Sequence, residues 1–415
     1  MAVSRSAPES EKSRLHPAAW LYWPLCLLGW LLLHVLFRLR VRVEPAVRKV
    51  KGPLILMGNH PSYLDPVIMA VSLLPRRISF LTSRDFFRKR LPRFMLRRLG
   101  AIPKTQFRTD MQAIKSVLLT LRADGAVAIY PEGQRSLDGC LQPVDEAIAK
   151  LVKKMACPVV LVKEQGAYLA WPRWANGLFR PGRIAVSVTL FMTAEQIIAS
   201  SVDALQRRIV SALAYDEYQL QQQNRFRYRT REPAGGMDKI IHQCPACRRE
   251  LAMVSDTRSL TCRFCQNQAI VDQTGLLRPG GQGRIWPDLA RWHQWQVDQL
   301  RLQMDKPGFR RGYPTRLSWP DSQEGRQPLD GTLVLTGESL LFYGSGIQAD
   351  DPQAEPCLTV KLEHRTGISA EFGSYFDLAY NDQVLRFSPE PGQAVVILAD
   401  VILALGSRSR TRANA

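Results

Sequence analysis

The chain has 415 residues, of which 46% are apolar and 22% charged, with a formal net charge of +19. That length exceeds one ordinary core, so two or three domains are expected, and the composition excludes a largely disordered chain. The charge calls for an anionic partner, whether nucleic acid, a membrane surface or a phosphorylated substrate, and does not by itself choose among them.

In chain order, residues 1–45 read as a polar tail followed by a membrane anchor. From Leu15 to Phe37 no side chain is formally charged, and Leu, Trp and Ala dominate. Such a run is long enough to cross a hydrocarbon core. Arg38, Arg40 and Arg42 follow at once, which favours a cytoplasmic location for what comes next. Pro24 and Gly29 interrupt the run, so a bent, re-entrant pair of short helices stands beside a straight span. A cleaved signal peptide fits less well, because the leader carries both signs of charge and no small-residue cleavage site follows.

Residues 46–215 alternate short apolar runs with helical stretches. Pro53–Gly58, Ala126–Tyr130, Pro158–Val162 and Ile184–Leu190 read as strands, and Met111–Ala123 and Val144–Met155 as helices. That alternation predicts an α/β domain on a largely parallel sheet. Within it, Arg76 to Lys104 carries ten cations and a single acid, Asp85, with Phe87, Leu91, Phe94 and Met95 at helical spacing. A basic amphipathic helix next to a membrane segment reads as a surface lying on anionic lipid.

Residues 216–240, rich in Gln, Arg and Asn, read as a linker. In 241–278, Cys244 and Cys247 form one tight pair and Cys262 and Cys265 another, with fourteen residues between the pairs. This spacing predicts a four-cysteine zinc ribbon, and four thiolates would close the shell of a structural Zn2+. The remaining cysteines (Cys26, Cys140, Cys157 and Cys357) are scattered and read as apolar fillers, so the compartment is expected to be reducing. Residues 279–330 read as a helical connector, and 331–406 as short strands closed by an apolar helix at about Ala394–Leu405. The basic tail 407–415 is expected to be disordered.

The strand at 53–58 runs into Asn59-His60-Pro61-Ser62-Tyr63-Leu64-Asp65. On a continuous helix His60 and Asp65 would lie about 140° apart around the axis and could not meet. A turn at Pro61, with Pro61 first in the helix and Asp65 one turn in, lets the carboxylate reach one imidazole nitrogen and leaves the other free to take a proton. Three further segments follow in order: Gly100 to Arg108, which brings Lys104 and Arg108 after a glycine turn; Tyr130-Pro131-Glu132-Gly133-Gln134-Arg135-Ser136 after a strand; and Cys157-Pro158-Val159-Val160.

This set, in this order, resembles the glycerolipid acyltransferase family typified by bacterial 1-acylglycerol-3-phosphate acyltransferase. The resemblance covers roughly residues 50–215. Gln134 stands where the family usually has threonine, and Leu161 where a proline is common. The resemblance implies that His60 is the general base and Asp65 its partner, and that Lys104, Arg108, Glu132, Gly133 and Arg135 serve the substrate. Arg135 and Arg108 would hold an acceptor phosphate, Glu132 would position Arg135 or an acceptor hydroxyl, and backbone N–H groups near Gly133 would receive the oxyanion.

The implied reaction moves a fatty acyl chain from acyl-CoA or acyl-carrier protein to a lysophospholipid, on the cytoplasmic face of the cell inner membrane. Another acceptor, such as a lyso-amino-acid lipid, is the nearest alternative within the same chemistry. A zinc ribbon is often a nucleic-acid module, which raises a non-enzymatic membrane-tethered adaptor as a second reading. That reading leaves His60 and Glu132–Arg135 unexplained, so no nucleic-acid partner is expected. The strands and helix of 331–406 are similar in element order to a pleckstrin-homology-like α+β module.

Overall fold

The computed structural model describes residues 16–105, 110–320, 326–349, 351, 353–362, 368–381 and 383–413, with side chains described as far as residue 405. Two compact units divide the chain. The first comprises the residues up to Arg173 together with Leu178–Thr230, and the second comprises Trp174–Gly177 together with Arg231–Ala415.

The first unit is a mixed α/β domain. Its elements are helix α1 (Ala19–Phe37), β1 (Arg40–Val43), β2 (Leu54–Gly58), α2 (Asp65–Ser72), β3 (Ile78–Ser83), α3 (Arg90–Arg98), β4 (Ile102–Lys104) and α4 (Met111–Arg122). They continue through β5 (Ala126–Ile129), α5 (Ala147–Met155), β6 (Val159–Gln165), β7 (Ala185–Met192), α6 (Val202–Leu213) and α7 (Glu217–Asn224), with shorter helical turns between. The strands form one seven-stranded sheet in the order β1-β7-β6-β2-β5-β3-β4. Every pairing is parallel except β6 with β7.

Strands covered on both faces should be continuously apolar. β2 (LILMG) and β5 (AVAI) are, and all their residues are buried. Ile55, Met57, Val127, Ile129, Val159 and Leu161 share a core with Val117 and Leu121 of α4, Val152 of α5 and Ile209 and Leu213 of α6. The alternate residues of the same strands face α2, whose Ile68 and Met69 are fully buried. The parallel strands β2, β5 and β6 therefore end together at one edge, where open α/β sheets place their sites.

Several expectations are corrected. β1, β3 and β4 join the sheet without a matching sequence signal: arginines flank or interleave their apolar residues, and charge masks the period. Pro61 does not open the helix after the histidine; α2 starts at Asp65 itself, with Pro66 next. Residues 216–240 are packed instead of forming a linker: Glu217, Tyr218 and Gln221 of α7 are buried, as are Tyr228, Ala234 and Met237.

The second unit holds a four-stranded antiparallel sheet (Met253–Ser255, Ser259–Cys262, Gln268–Val271, Leu277–Pro279) and a helix, Leu289–Met304. A seven-stranded antiparallel sheet follows. Its first strand is Arg310–Ser318, within the segment read as a helical connector. There Tyr313, Thr315 and Leu317 alternate inward, and the intervening Arg and Pro hide that period. The closing helix runs Ala394–Ala413, past the expected end at Leu405, and no proline interrupts the extension.

Candidate functional site

The site is built where β2 runs out of the sheet. Beyond Gly58 the chain turns through Asn59 and His60 to the start of α2. His60 Nδ1 lies 2.6 Å from Asp65 Oδ2. The same carboxylate oxygen accepts the Ser62 N–H at 2.9 Å, so Asp65 closes the turn as well as holding the ring. Asp65 is completely buried, whereas the His60 side chain keeps 17% of its surface exposed. A proton on Nδ1 shared with Asp65 leaves Nε2 as the acceptor.

The segment Tyr130–Ser136, at the end of β5, packs around that turn. The Tyr130 ring stacks on His60, centroids 4.2 Å apart and planes 15° off parallel. Glu132 accepts the His60 N–H through Oε1 at 2.7 Å and the Gln142 N–H through Oε2 at 2.8 Å. The Ser136 N–H donates to the His60 carbonyl at 2.7 Å. His60 is thus held by both its backbone groups and its ring. Burial pushes the Glu132 carboxyl up to about 8, against the two N–H donors that pull it down.

Two expectations change here. Glu132 holds backbone, not Arg135 or an open hydroxyl position. Gly133 adopts a left-handed turn (φ +68°) with nothing near its Cα on the side-chain side, and its N–H donates back to the Tyr130 carbonyl at 3.0 Å. It is an exposed turn residue, and an oxyanion would need a different donor.

The cations are distributed unevenly. The Arg135 guanidinium lies 3.7 Å over the Tyr63 ring, and its Nε is buried without a hydrogen-bond partner. Arg173, not singled out from the sequence, joins it: its guanidinium donates to the Arg135 carbonyl at 3.0 Å. Both arginines act on the imidazole. Burial lowers the His60 pKa, Asp65 raises it, and Arg135 and Arg173 lower it further, for a net shift below the ordinary histidine value. His60 is therefore neutral, and able to accept a proton, at neutral pH. Lys104 ends β4, in register with Ser83 at the same sheet edge. Arg108 lies outside the described residues; Asp110, after it, caps α4 through the Ala113 N–H and also holds the Thr105 N–H.

An aromatic wall leads away from the histidine. Tyr63 meets Trp171 at 5.1 Å between centroids, Trp171 meets Phe179 at 6.1 Å, and Phe179 meets Phe37, the last residue of α1, at 5.7 Å. Its members are scattered in sequence, and no spacing rule connects them.

In the second unit, Cys244, Cys247, Cys262 and Cys265 converge, their sulfurs all within 4.8 Å of one another. Cys244 Sγ is 3.6 Å from Cys265 Sγ, and Cys247 Sγ is 3.7 Å from Cys262 Sγ. A tetrahedron with metal–sulfur bonds of about 2.3 Å has edges of roughly 3.8 Å, so the donor set fits zinc. Cys244 also accepts from the Ala246 and Cys247 N–H groups, and such donors stabilise a metal-bound thiolate.

Residues 38–162 match the family model described as Acyltransferase. A chloroplastic 1-acyl-sn-glycerol-3-phosphate acyltransferase of Brassica napus is 24% identical over 138 residues, 33% of this chain and 40% of that protein. A 1-acyl-sn-glycerol-3-phosphate acyltransferase of Bacillus subtilis is 20% identical over 163 residues, 37% of this chain and 78% of that protein. The chain thus spans about two fifths of the length of the first of these relatives. The crystal structure of the 1-acyl-sn-glycerophosphate acyltransferase PlsC from Thermotoga maritima superposes with a TM-score of 0.41 and 18% identity, over 54% of this chain and 86% of that one. His60, Asp65 and Tyr130–Ser136 all lie within residues 38–162, the part of the chain that matches the Acyltransferase family model.

Proposed function

We propose that the chain transfers a fatty acyl group from a thioester, acyl-CoA or acyl-carrier protein, to the hydroxyl of 1-acylglycerol 3-phosphate or a related lysophospholipid. The observation that carries this reading is the 2.6 Å contact of His60 Nδ1 with buried Asp65, in a site where burial, aided by Arg135 and Arg173, keeps the ring neutral. A glycerol hydroxyl is a poor nucleophile at neutral pH. His60 Nε2 takes its proton as the oxygen attacks the thioester carbonyl carbon. The new C–O bond forms, the C–S bond breaks, and the imidazolium returns the proton to the leaving thiolate. Arg135, with Arg173 behind it, is suited to the acceptor phosphate, because a guanidinium fork binds phosphate oxygens in pairs. Lys104 and Arg108 are further candidates for the same anion.

The membrane reading rests on α1 and α3. α1 is long and apolar enough to cross a membrane by length and composition, and at roughly 28 Å it matches a hydrocarbon core. Both its ends are nevertheless tied to its own domain. The Ala18 N–H donates to the Arg98 carbonyl, and the Leu36 and Phe37 carbonyls accept from Gly182 and Ile184. One face, Tyr22, Cys26, Gly29, Leu33 and Phe37, is buried, while Trp20, Trp23, Leu27, Trp30 and Val35 are exposed. This geometry favours a helix lying in one leaflet over a straight span. α3 abuts its start and has no buried residue; Leu91 and Phe94 are 71% and 51% exposed among its arginines. Such a helix suits an anionic lipid surface. We assign that surface to the cytoplasmic face of the inner membrane from Arg38, Arg40 and Arg42, and a structural Zn2+ to the four cysteines.

The test is acyl transfer by purified full-length protein, with labelled acyl-CoA or acyl-carrier protein and a panel of lysolipids. Transfer to lysophosphatidate is expected, and His60→Ala should lower its rate constant by about 100-fold or more. Unchanged turnover in folded His60→Ala protein, or no transfer to any lysolipid, overturns the reading.

A further inference from the structure

Behind Asp65 stands a second carboxyl group that the mechanism above leaves unused. Glu164 lies near the end of β6, two residues beyond Val162, which pairs with Gly58 on β2. Strand alternation puts it on the face of Val160 and Val162, the face that α2 covers. Its backbone is locked to the residue before the histidine: the Asn59 side chain accepts the Glu164 N–H at 2.8 Å and donates to the Glu164 carbonyl at 2.9 Å. Asn59 and Glu164 are both fully buried.

The side chain makes no conventional bond. Glu164 Oε1 and Oε2, Asp65 Oδ1 and the Tyr130 hydroxyl are all buried without a hydrogen-bond partner. The Asn59 bonds hold Glu164 beside the turn that carries Asp65, and these orphaned oxygens belong to one buried cluster in which the Asp65 carboxyl acts on Glu164. Two carboxylates cannot bond to each other, because neither has a donor. If one carries a proton, the contact becomes an O–H···O bond to an anion, among the stronger kinds. Which one holds the proton follows from the surroundings. Asp65 already serves as an acceptor, taking His60 Nδ1 and the Ser62 N–H on Oδ2. Glu164 feels burial and Asp65, both of which favour its neutral form.

The other titratable groups around this cluster do not change the assignment. Tyr130 is held neutral by burial and by both acids. Glu132 is itself pushed up to about 8, chiefly by burial, so at neutral pH it adds little charge to the cluster. Arg135 and Arg173 act on His60 and are not among the groups that act on Glu164.

We propose that Glu164 is a positioning residue that stays protonated and donates to Asp65 Oδ1, extending the His60–Asp65 pair into a His60–Asp65–Glu164 chain. The bond fixes the carboxylate from behind and draws off part of its charge. Asp65 then orients His60 without raising its basicity as far as a lone carboxylate would. The proposal rests on His60 being the base of acyl transfer, as argued above, but the proton on Glu164 can be seen without that reaction.

Two variants and two readouts test it. Glu164→Gln keeps a neutral donor of the same shape, so kcat should stay within about 3-fold of the parent and the acid limb of the pH profile should not move. Glu164→Leu removes the donor; kcat should fall by about 10-fold or more, the equivalent of one lost hydrogen bond to a charged group, with little change in KM. Its acid limb should move to higher pH, because Asp65 then acts on His60 with its full charge. Infrared spectra of the full-length protein at neutral pH should show a carboxylic-acid C=O band that Glu164→Gln lacks. An acid limb that moves to lower pH in Glu164→Gln overturns the proposal, since it means an ionised Glu164. So does a spectrum in which Glu164→Gln removes a carboxylate band instead. Parent-like kinetics in both variants overturns the positioning role. The infrared result stands even if no acyl transfer is found, which separates failure of this proposal from failure of the functional reading.

Discussion

At the scale of residues, His60 is governed by opposing neighbours. Asp65 raises its pKa while burial, Arg135 and Arg173 lower it. A base works when neutral, so activity is lost as pH falls through the His60 pKa; a lowered value puts that loss below about 6.5, the ordinary value. Arg135→Gln removes one of the cations that push it down, so the acid limb of kcat/KM should move to higher pH. It should also cost about 10-fold or more on a phosphorylated acceptor, and less on a neutral lysolipid, as expected for one charge-assisted bond. Profiles measured on both acceptors check this; an unmoved limb with equal losses would make Arg135 structural. The resemblance carried by the ordered motifs is what brings His60, Asp65 and Tyr130–Ser136 together as candidates; the five-residue spacing of one histidine and one aspartate does not do so alone. Arg173 and Glu164 cannot be found that way. They reach the site through the register of β6 against β2 and the path of the chain beyond β6, which no local pattern encodes. The same limit misassigns Glu132 and Gly133. Both occupy a suggestive motif, yet one holds the His60 and Gln142 N–H groups and the other closes a turn.

At the scale of elements, periods are legible where burial is one-sided and fail where charge interrupts them. α4 and α5 can be read because their apolar stripes meet a sheet. β1 (RVRV) and β3, beside Arg76 and Arg77, cannot. α1 is the instructive case. Its mean apolarity reads as a span, but a stripe with one residue every three or four, Tyr22 to Phe37, is what the domain buries. A Cβ at Gly29 would sit 2.6 Å from Val67 Cγ1, so the glycine read as a break is a close-packing position against α2. Two separable attachments should follow. Trp23→Ser with Trp30→Ser, on the exposed face, should weaken binding to lipid vesicles at every salt concentration. Arg90, Arg93 and Arg97 changed to Gln should remove only the part that salt screens, about 1 kcal/mol per arginine on anionic vesicles. Co-sedimentation with neutral and anionic vesicles at low and high salt reads both. An arginine variant that binds anionic vesicles like the parent at low salt would take α3 off the lipid surface.

At the scale of the whole molecule, the proposed chemistry lies in the first unit and the metal set in the second. The ribbon is not isolated within its unit. The Gln296 side chain, on helix Leu289–Met304, accepts the His242 and Gln243 N–H groups at 2.9 Å each and donates to the Ile240 carbonyl. Trp292 Nε1 donates to the Gln243 carbonyl. Gln393, just before the closing helix, donates to the Met253 and Asp238 carbonyls, and Arg311 of the larger sheet pairs with Glu250. The cysteine turns therefore sit in a hydrogen-bonded frame shared with the rest of the unit, although the spacing of four cysteines alone reads as a self-contained module. Zinc binding free energy is folding free energy in segments with so little core of their own. Cys244→Ser with Cys262→Ser should abolish stoichiometric zinc and lower the melting transition of the second unit as a whole, beyond the ribbon alone. Acyl transfer should survive near parent levels wherever the first unit stays folded, because no open coordination position remains for a substrate once four thiolates close the shell. Metal analysis, calorimetry and the acyltransferase assay on the same full-length preparation decide it. Zinc retained at one per chain would refute the ligand set, and a loss of turnover as deep as that of His60→Ala, with the first unit intact, would refute a purely structural metal.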